Sequence, residues 1–114
     1  MKNGIERRRH PRISVNWPVV LMTPQGAIKG KTANISVSGL GLLLFTETPE
    51  IDDEFKITLT SSEGHEMLVT CERIWADGIN LYGFTYSGVG VRFTKISSRD
   101  RKIIATMVAA YQPL

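Results

Sequence analysis

Hydrophobic and polar residues alternate along most of this chain in short runs. From Ile13 onward, Val15, Trp17, Val19 and Leu21 occupy every second position, with Ser14, Asn16, Pro18 and Val20 between them, and this period of two predicts a strand. Pro18 has no amide hydrogen to give a ladder, so it confines that strand to an edge or a bulge. Pro24-Gln25-Gly26 predicts a turn, and a second strand from about residue 27 to 35 leads into a turn at Ser36-Val37-Ser38-Gly39. Leu40, Leu42, Leu43, Leu44 and Phe45 predict a strongly apolar strand, and residues 46–53, rich in proline and acid, a loop. Phe55, Ile57 and Leu59 alternate with charged or hydroxyl residues, and Ser62-Glu63-Gly64 predicts a hairpin connection to a long strand at residues 66–75. Asp77-Gly78 predicts the next hairpin turn, followed by a strand at 79–86, a break at Ser87-Gly88 and a last strand at 89–94. The period then changes. Ser97 or Ser98 can cap a helix of about residues 98–111 with Asp100 in its first turn, and Ile103, Ile104, Met107, Val108 and Tyr111 form one apolar stripe, which predicts a helix lying across the sheet. Many short antiparallel strands point to a mainly β fold, closed into a barrel or folded as a sandwich.

Length and charge refine this picture. The 114 residues suffice for one hydrophobic core and not for a second, so residues 13–114 are expected to form a single domain. Hydrophobic residues at 42% and charged residues at 22% are those of an ordinary globular protein, which excludes disorder and fibrous repeats. The net charge of +3 is unevenly placed: the first twelve residues hold Lys2, Arg7, Arg8, Arg9 and Arg12 against Glu6, while the remainder is slightly acidic. Pro11 holds His10 extended, so residues 1–12 are expected to be a flexible basic arm and not a helix. A cationic arm on a nearly neutral body favours an anionic partner at that end and disfavours a nucleic-acid binder that uses its whole surface. The single cysteine, Cys71, lies in an apolar stretch, so no intramolecular disulfide forms and a buried, inert thiol is expected. Neither an apolar signal segment nor a run long enough to span a bilayer is evident, and the expected location is the cytoplasm, without membrane insertion.

Two short motifs stand out: Arg8-Arg9-His10-Pro11-Arg12, with arginines four apart, and Asn34-Ile35-Ser36-Val37-Ser38-Gly39. In this order they resemble the R-x-x-x-R and D/N-x-S-x-x-G motifs of the PilZ family. Gly90-Val91-Arg92-Phe93, then Ile96 and a helix beginning near Ser98-Arg99-Asp100, is similar to the usual PilZ ending, so the resemblance covers nearly the whole chain. It implies a small, six-stranded antiparallel β-barrel with a C-terminal α-helix, and a receptor domain that binds the bacterial second messenger cyclic di-GMP. The arm chemistry agrees. Guanine presents O6 and N7 as paired acceptors, and each phosphate presents paired oxygens; a guanidinium fork from Arg8 or Arg12 matches either with two parallel bonds, which a lysine could not do. Asn34 and Ser36 share strand parity, so both are expected to face a ligand while Ile35 enters the core. The resemblance further implies that Asn34 reads the N1/N2 edge of guanine and Ser36 contacts a phosphate. Many members have Asp at this position, and an amide with one acceptor oxygen implies weaker binding than a carboxylate. Gly39 is expected to supply a positive φ or a close backbone approach. An arginine just before the arginine pair, here Arg7, accompanies an intercalated ligand dimer in the family, so two cyclic di-GMP molecules per site are implied. Trp75, at a strand end, has two equal readings: a stacking surface for a purine, or a plug in the barrel end.

Catalysis has no evident machinery. Asp52-Asp53 and the glutamates fall in loops or on exposed strand faces, no serine has a histidine partner in view, and Gly88-Val89-Gly90 lies in a strand and not before a helix. His10, His65 and Cys71 show no metal-ligand spacing. The expectation is therefore a non-enzyme without metal or cofactor, whose ligand is cyclic di-GMP and which signals to an unidentified downstream protein when the ligand orders the arm against the barrel. The rivals are a small barrel that binds single-stranded nucleic acid through the arm and Trp75, and a PilZ interaction module that binds no ligand.

Overall fold

In the computed structural model, residues 11–46 and 52–111 are described. Six strands precede one helix: β1 (Pro18–Thr23), β2 (Gly26–Ile35), β3 (Gly39–Leu44), β4 (Glu54–Thr60), β5 (Glu66–Leu81), β6 (Phe84–Lys95) and α1 (Ser98–Ala110). Every pairing is antiparallel, and the order β1-β2-β3-β6-β5-β4 closes on itself as a barrel. The period of two explains the interior. Val19 and Leu21 of β1, Leu40, Leu42 and Leu44 of β3, Phe55, Ile57 and Leu59 of β4, Met67, Val69 and Cys71 of β5, and Val89 and Val91 of β6 all fill one core. Closure removes the sheet edges that an open six-stranded sheet would present to other chains.

Pro18 is the first residue of β1, where a missing amide hydrogen costs no ladder bond. The residues before it are held by side-chain chemistry instead. The buried Thr32 hydroxyl donates to the Val15 carbonyl and accepts from the Trp17 amide at 2.8 Å, and the Asn16 amide donates to the Thr32 carbonyl at 2.8 Å. Ile13 exchanges two backbone bonds of 2.9 Å with Ile35 and is buried. The chain therefore enters the core at Ile13, directly after Arg12.

The hairpin between β5 and β6 differs from the sequence expectation. Asp77-Gly78 does not turn, and Ser87-Gly88 does not break the chain: Asp77 pairs with Gly88 and Gly78 with Ser87 inside one long ladder. The turn lies at Tyr82-Gly83, where both φ angles are positive (52° and 82°) and Leu81 pairs with Phe84. Those are the requirements of a two-residue type I′ connection. Tyrosine gives no sign of such a turn in a sequence, whereas Asp-Gly does, and the local signal lost to the register of the long ladder.

The helix follows its predicted boundaries. The Ser97 hydroxyl accepts from the Asp100 amide at 3.0 Å, which identifies Ser97 as the cap. Ile104 is fully buried, and Ile103, Met107 and Val108 pack against the barrel core. Tyr111, assigned to the same stripe by spacing, lies beyond the last helical residue and is exposed.

Candidate ligand-binding site

Two β-bulges decide which side chains face outward. In β2, Thr32 points into the barrel opposite Leu42, and strict alternation would send Asn34 inward as well. The register shifts between Thr32 and Asn34, with Ala33 as the extra residue, so Asn34 pairs with Gly41 on the outer wall and Ile35 enters the core. The same device recurs in β5. Cys71 points inward, the register shifts between Arg73 and Trp75 with Ile74 as the extra residue, and Trp75 pairs with Gly90 on the outside. A one-residue insertion exchanges the two faces of a strand, and here it does so twice.

The result is one row across four strands. Asn34 of β2 pairs with Gly41 of β3, Gly41 with Gly90 of β6, and Gly90 with Trp75 of β5. Three strand spacings separate the outer two positions, about 14 Å. Between them the wall carries no side chain. A Cβ on Gly41 would lie 3.1 Å from Asn34 Nδ2, and one on Gly90 would lie 2.1 Å from Trp75 Nε1. The Trp75 indole therefore lies down on the β6 backbone at Gly90, while the residue as a whole is 51% exposed. It is not a plug in the barrel end; the buried tryptophan of this protein is Trp17.

Arg12 reaches this row. Its Nη1 donates to Asn34 Oδ1 at 2.8 Å, a bond between residues 22 apart in the chain. A guanidinium only donates, so the bond sets the Asn34 amide with its oxygen toward Arg12 and its nitrogen toward Gly41. The two motifs are thus in direct contact at their inner ends. Arg7, Arg8, Arg9 and His10 lie outside the described residues.

Ser36 departs from its expected place. The strand ends at Ile35, parity ends with it, and Ser36 is 1% exposed. Its hydroxyl donates to the Gly39 carbonyl at 3.3 Å, accepts from the Ser38 amide at 3.2 Å and lies 3.1 Å from the Ser38 hydroxyl. Ser36 builds the turn that follows Asn34. Of the two explanations open for Gly39, close approach holds: it has no positive φ, and a Cβ there would lie 2.2 Å from the Val91 carbonyl oxygen.

Gly41, Gly90 and Arg92 belong to the same wall; the sequence marks Gly90 and Arg92 only as part of the chain's ending, and none of the three as a ligand-site residue. Arg92 pairs with Gly39, is exposed, and forms an ion pair with Glu72 of β5. Glycine inside an apolar strand reads as a mere weakness until its cross-strand partner is known. Cys71 is buried, and desolvation pushes its thiol up to about 12. Among the described residues no group of three or more His, Cys, Asp or Glu side chains could hold a metal ion, and no helix is long and apolar enough to cross a membrane.

Comparison with known proteins agrees with this architecture. The family model of the PilZ domain matches residues 6–110. The PilZ domain of YcgR from Escherichia coli, solved with c-di-GMP, superposes with a TM-score of 0.76 at 18% identity, over 92% of this chain and 91% of that one. The MrkH–c-di-GMP complex of K. pneumonia gives 0.74 at 21% identity, over 91% and 52%, and the inhibitor of motility MotI/DgrA of Bacillus subtilis gives 0.73 at 14% identity, over 92% and 51%. This chain spans about half the length of the latter two proteins. No curated protein matches it.

Proposed function

Because this chain belongs to the PilZ domain family, we propose that it is a receptor, and not an enzyme, for cyclic di-GMP, which it binds on the outer barrel wall between Asn34 and Trp75. One observation supports this above the rest: the Arg12–Asn34 bond joins the second arginine of the R-x-x-x-R motif to the first residue of the N-x-S-x-x-G motif, beside a strip of wall without side chains. The missing Cβ atoms let the Asn34 amide and the Trp75 indole lie flat against the wall, which leaves their outer faces for a planar base.

In this proposal Asn34 reads the guanine edge, and Arg8 and Arg12 take phosphate or the O6/N7 edge through their forks. The exposed face of Trp75 stacks on a base, a contact that contributes about 1–3 kcal/mol per base in nucleic-acid grooves. Ser36 acts by fixing the turn and Gly39 by letting β3 approach β6, so that Asn34 is held in place. Arg7 adds the charge for a second, intercalated ligand molecule. Ligand binding exchanges the Arg12–Asn34 bond for ligand contacts and orders the arm against the wall, and the energy for that change comes from differential contact with the two arm states. The ordered arm is the surface that a downstream protein reads.

Calorimetric titration with cyclic di-GMP tests this. Saturable binding is expected, with a molar ratio that distinguishes one ligand from two. A charge-assisted bond contributes about 1.5–3 kcal/mol, so Arg12→Ala should weaken binding by roughly tenfold or more, and Asn34→Ala, whose bonds to a neutral base have no charge assistance, by about 0.5–1.5 kcal/mol. No binding at tens of micromolar in low salt, or two variants that bind like the parent, would overturn the proposal.

A further inference from the structure

The helix and the barrel enclose a second site, remote in kind from the polar wall. A half-open cleft of about 780 Å³ lies between α1 and the β4–β5 connection, with Trp17, Ile103 and Met107 among its lining residues and Arg99 and Lys102 on the helical side. Its volume is that of a small-molecule pocket. Trp17 is 3% exposed and belongs to the barrel core, so this part of the lining is rigid and apolar.

The two walls differ in chemistry. On the loop side, the Ser61 hydroxyl accepts from the amides of Glu63 and His65 at 3.3 and 3.0 Å, and the Glu63 carboxylate lies 3.7 Å from the His65 imidazole. The Ser61 hydroxyl is thus engaged, whereas the Glu63 carboxylate is 83% exposed and makes the loop side anionic, so an anionic end is accommodated only against the helix. On the helix side, Arg99 and Lys102 are three positions apart and so share a face. Arg99 contacts the buried Asp100 carboxylate at 3.3 Å but keeps 64% of its side chain exposed, and Lys102 is exposed. An apolar body with a single anionic end matches this arrangement: the body covers Trp17, Ile103 and Met107, and the end meets the two cations. A neutral apolar molecule would leave the cations unused, and a cationic one would be repelled by them.

We propose that the cleft between α1 and the β4–β5 connection binds a small anionic amphiphile, a monomeric carboxylate with an apolar body of medium chain length. This site is independent of cyclic di-GMP binding and stands or falls separately from it.

Fluorescence titration tests it. The chain has two tryptophans, so in a Trp75→Phe protein the emission comes from Trp17 at the cleft. With decanoate below its micellar concentration, a saturable change in Trp17 emission is expected, at least tenfold weaker with decanol or with decyltrimethylammonium. Arg99→Ala with Lys102→Ala, both on the exposed helix surface, should also weaken decanoate binding at least tenfold. Thr106→Trp, with circular dichroism to verify folding and calorimetry as the readout, should block the cleft and abolish binding. Absence of saturable binding, equal binding of the three amphiphiles, or full binding by the double-alanine or Thr106→Trp protein would overturn the proposal.

Discussion

Gly90 has no side chain and yet governs one. Its missing Cβ is the space that the Trp75 indole occupies, with Nε1 at 2.1 Å from where that carbon would stand. Gly90→Ala must displace the indole, which is half exposed, so the barrel should fold while the stacking face proposed for the ligand is lost. Cyclic di-GMP affinity is expected to fall by about the amount caused by Trp75→Ala, on the order of 1–3 kcal/mol. In a Trp75→Ala background the Gly90→Ala effect should vanish, because residues that act through one contact are not additive. Additive losses measured by calorimetry across this cycle would separate Gly90 from Trp75. Asn34 shows the complementary case. Its oxygen accepts from Arg12, so Asn34→Asp would turn that bond into an ion pair while offering the ligand a stronger acceptor. Tighter ligand binding that is steeply weakened by salt is the expected outcome, measured by titration at two ionic strengths.

Among the elements, the long β5–β6 hairpin is the least typical. Its connection places a tyrosine at φ 52°, a conformation that costs most non-glycine residues about 1 kcal/mol and that asparagine tolerates better. Tyr82 is also 97% exposed, so its ring contributes little packing. Tyr82→Asn should therefore stabilise the protein by several tenths of a kcal/mol to about 1 kcal/mol, raising the denaturant midpoint with no change in slope. A lower midpoint would show that the ring is needed. The bulges at Ala33 and Ile74, two of the three register shifts in the sheet, are elements in their own right: each is one extra residue, and each converts a position that alternation assigns to the core into one on the outer wall.

For the whole molecule, the barrel interior sets one measurable pH dependence. Cys71 is buried, and its thiol is raised from 9.0 to about 12 by desolvation. Between those values the unfolded chain releases the proton and the folded chain retains it, so stability from this group is complete below pH 9 and is lost as the pH rises toward 12. A single such group gives a slope of about 1.4 kcal/mol per pH unit. The difference in unfolding free energy between the parent and Cys71→Ala should decline by that slope across the window, in denaturant titrations at several pH values. A constant difference would mean that the thiolate is tolerated inside.

The sequence by itself determined the elements whose cause is local. Period-two alternation marked β4 and the part of β1 after Pro18, although the residues from Ile13 to Trp17 that share the pattern lie before that strand; Ser97 and the apolar stripe defined the helix, and the order of the two motifs, with the ending at Gly90-Val91-Arg92-Phe93, pointed to the PilZ family and its barrel. It also pointed to Arg12 and Asn34, because their chemistry is evident from residue type alone. What depends on pairing was decided in three dimensions. Asp77-Gly78 looked like a turn and Ser87-Gly88 like a break, but the register of one ladder overrode both. Ser36 had the parity of a ligand-facing residue and instead closes a turn, since alternation ends where the strand ends. Gly41 and Gly90 gained meaning only beside Asn34 and Trp75, because a bulge moves a side chain to the other face of a sheet without leaving any trace in residue type.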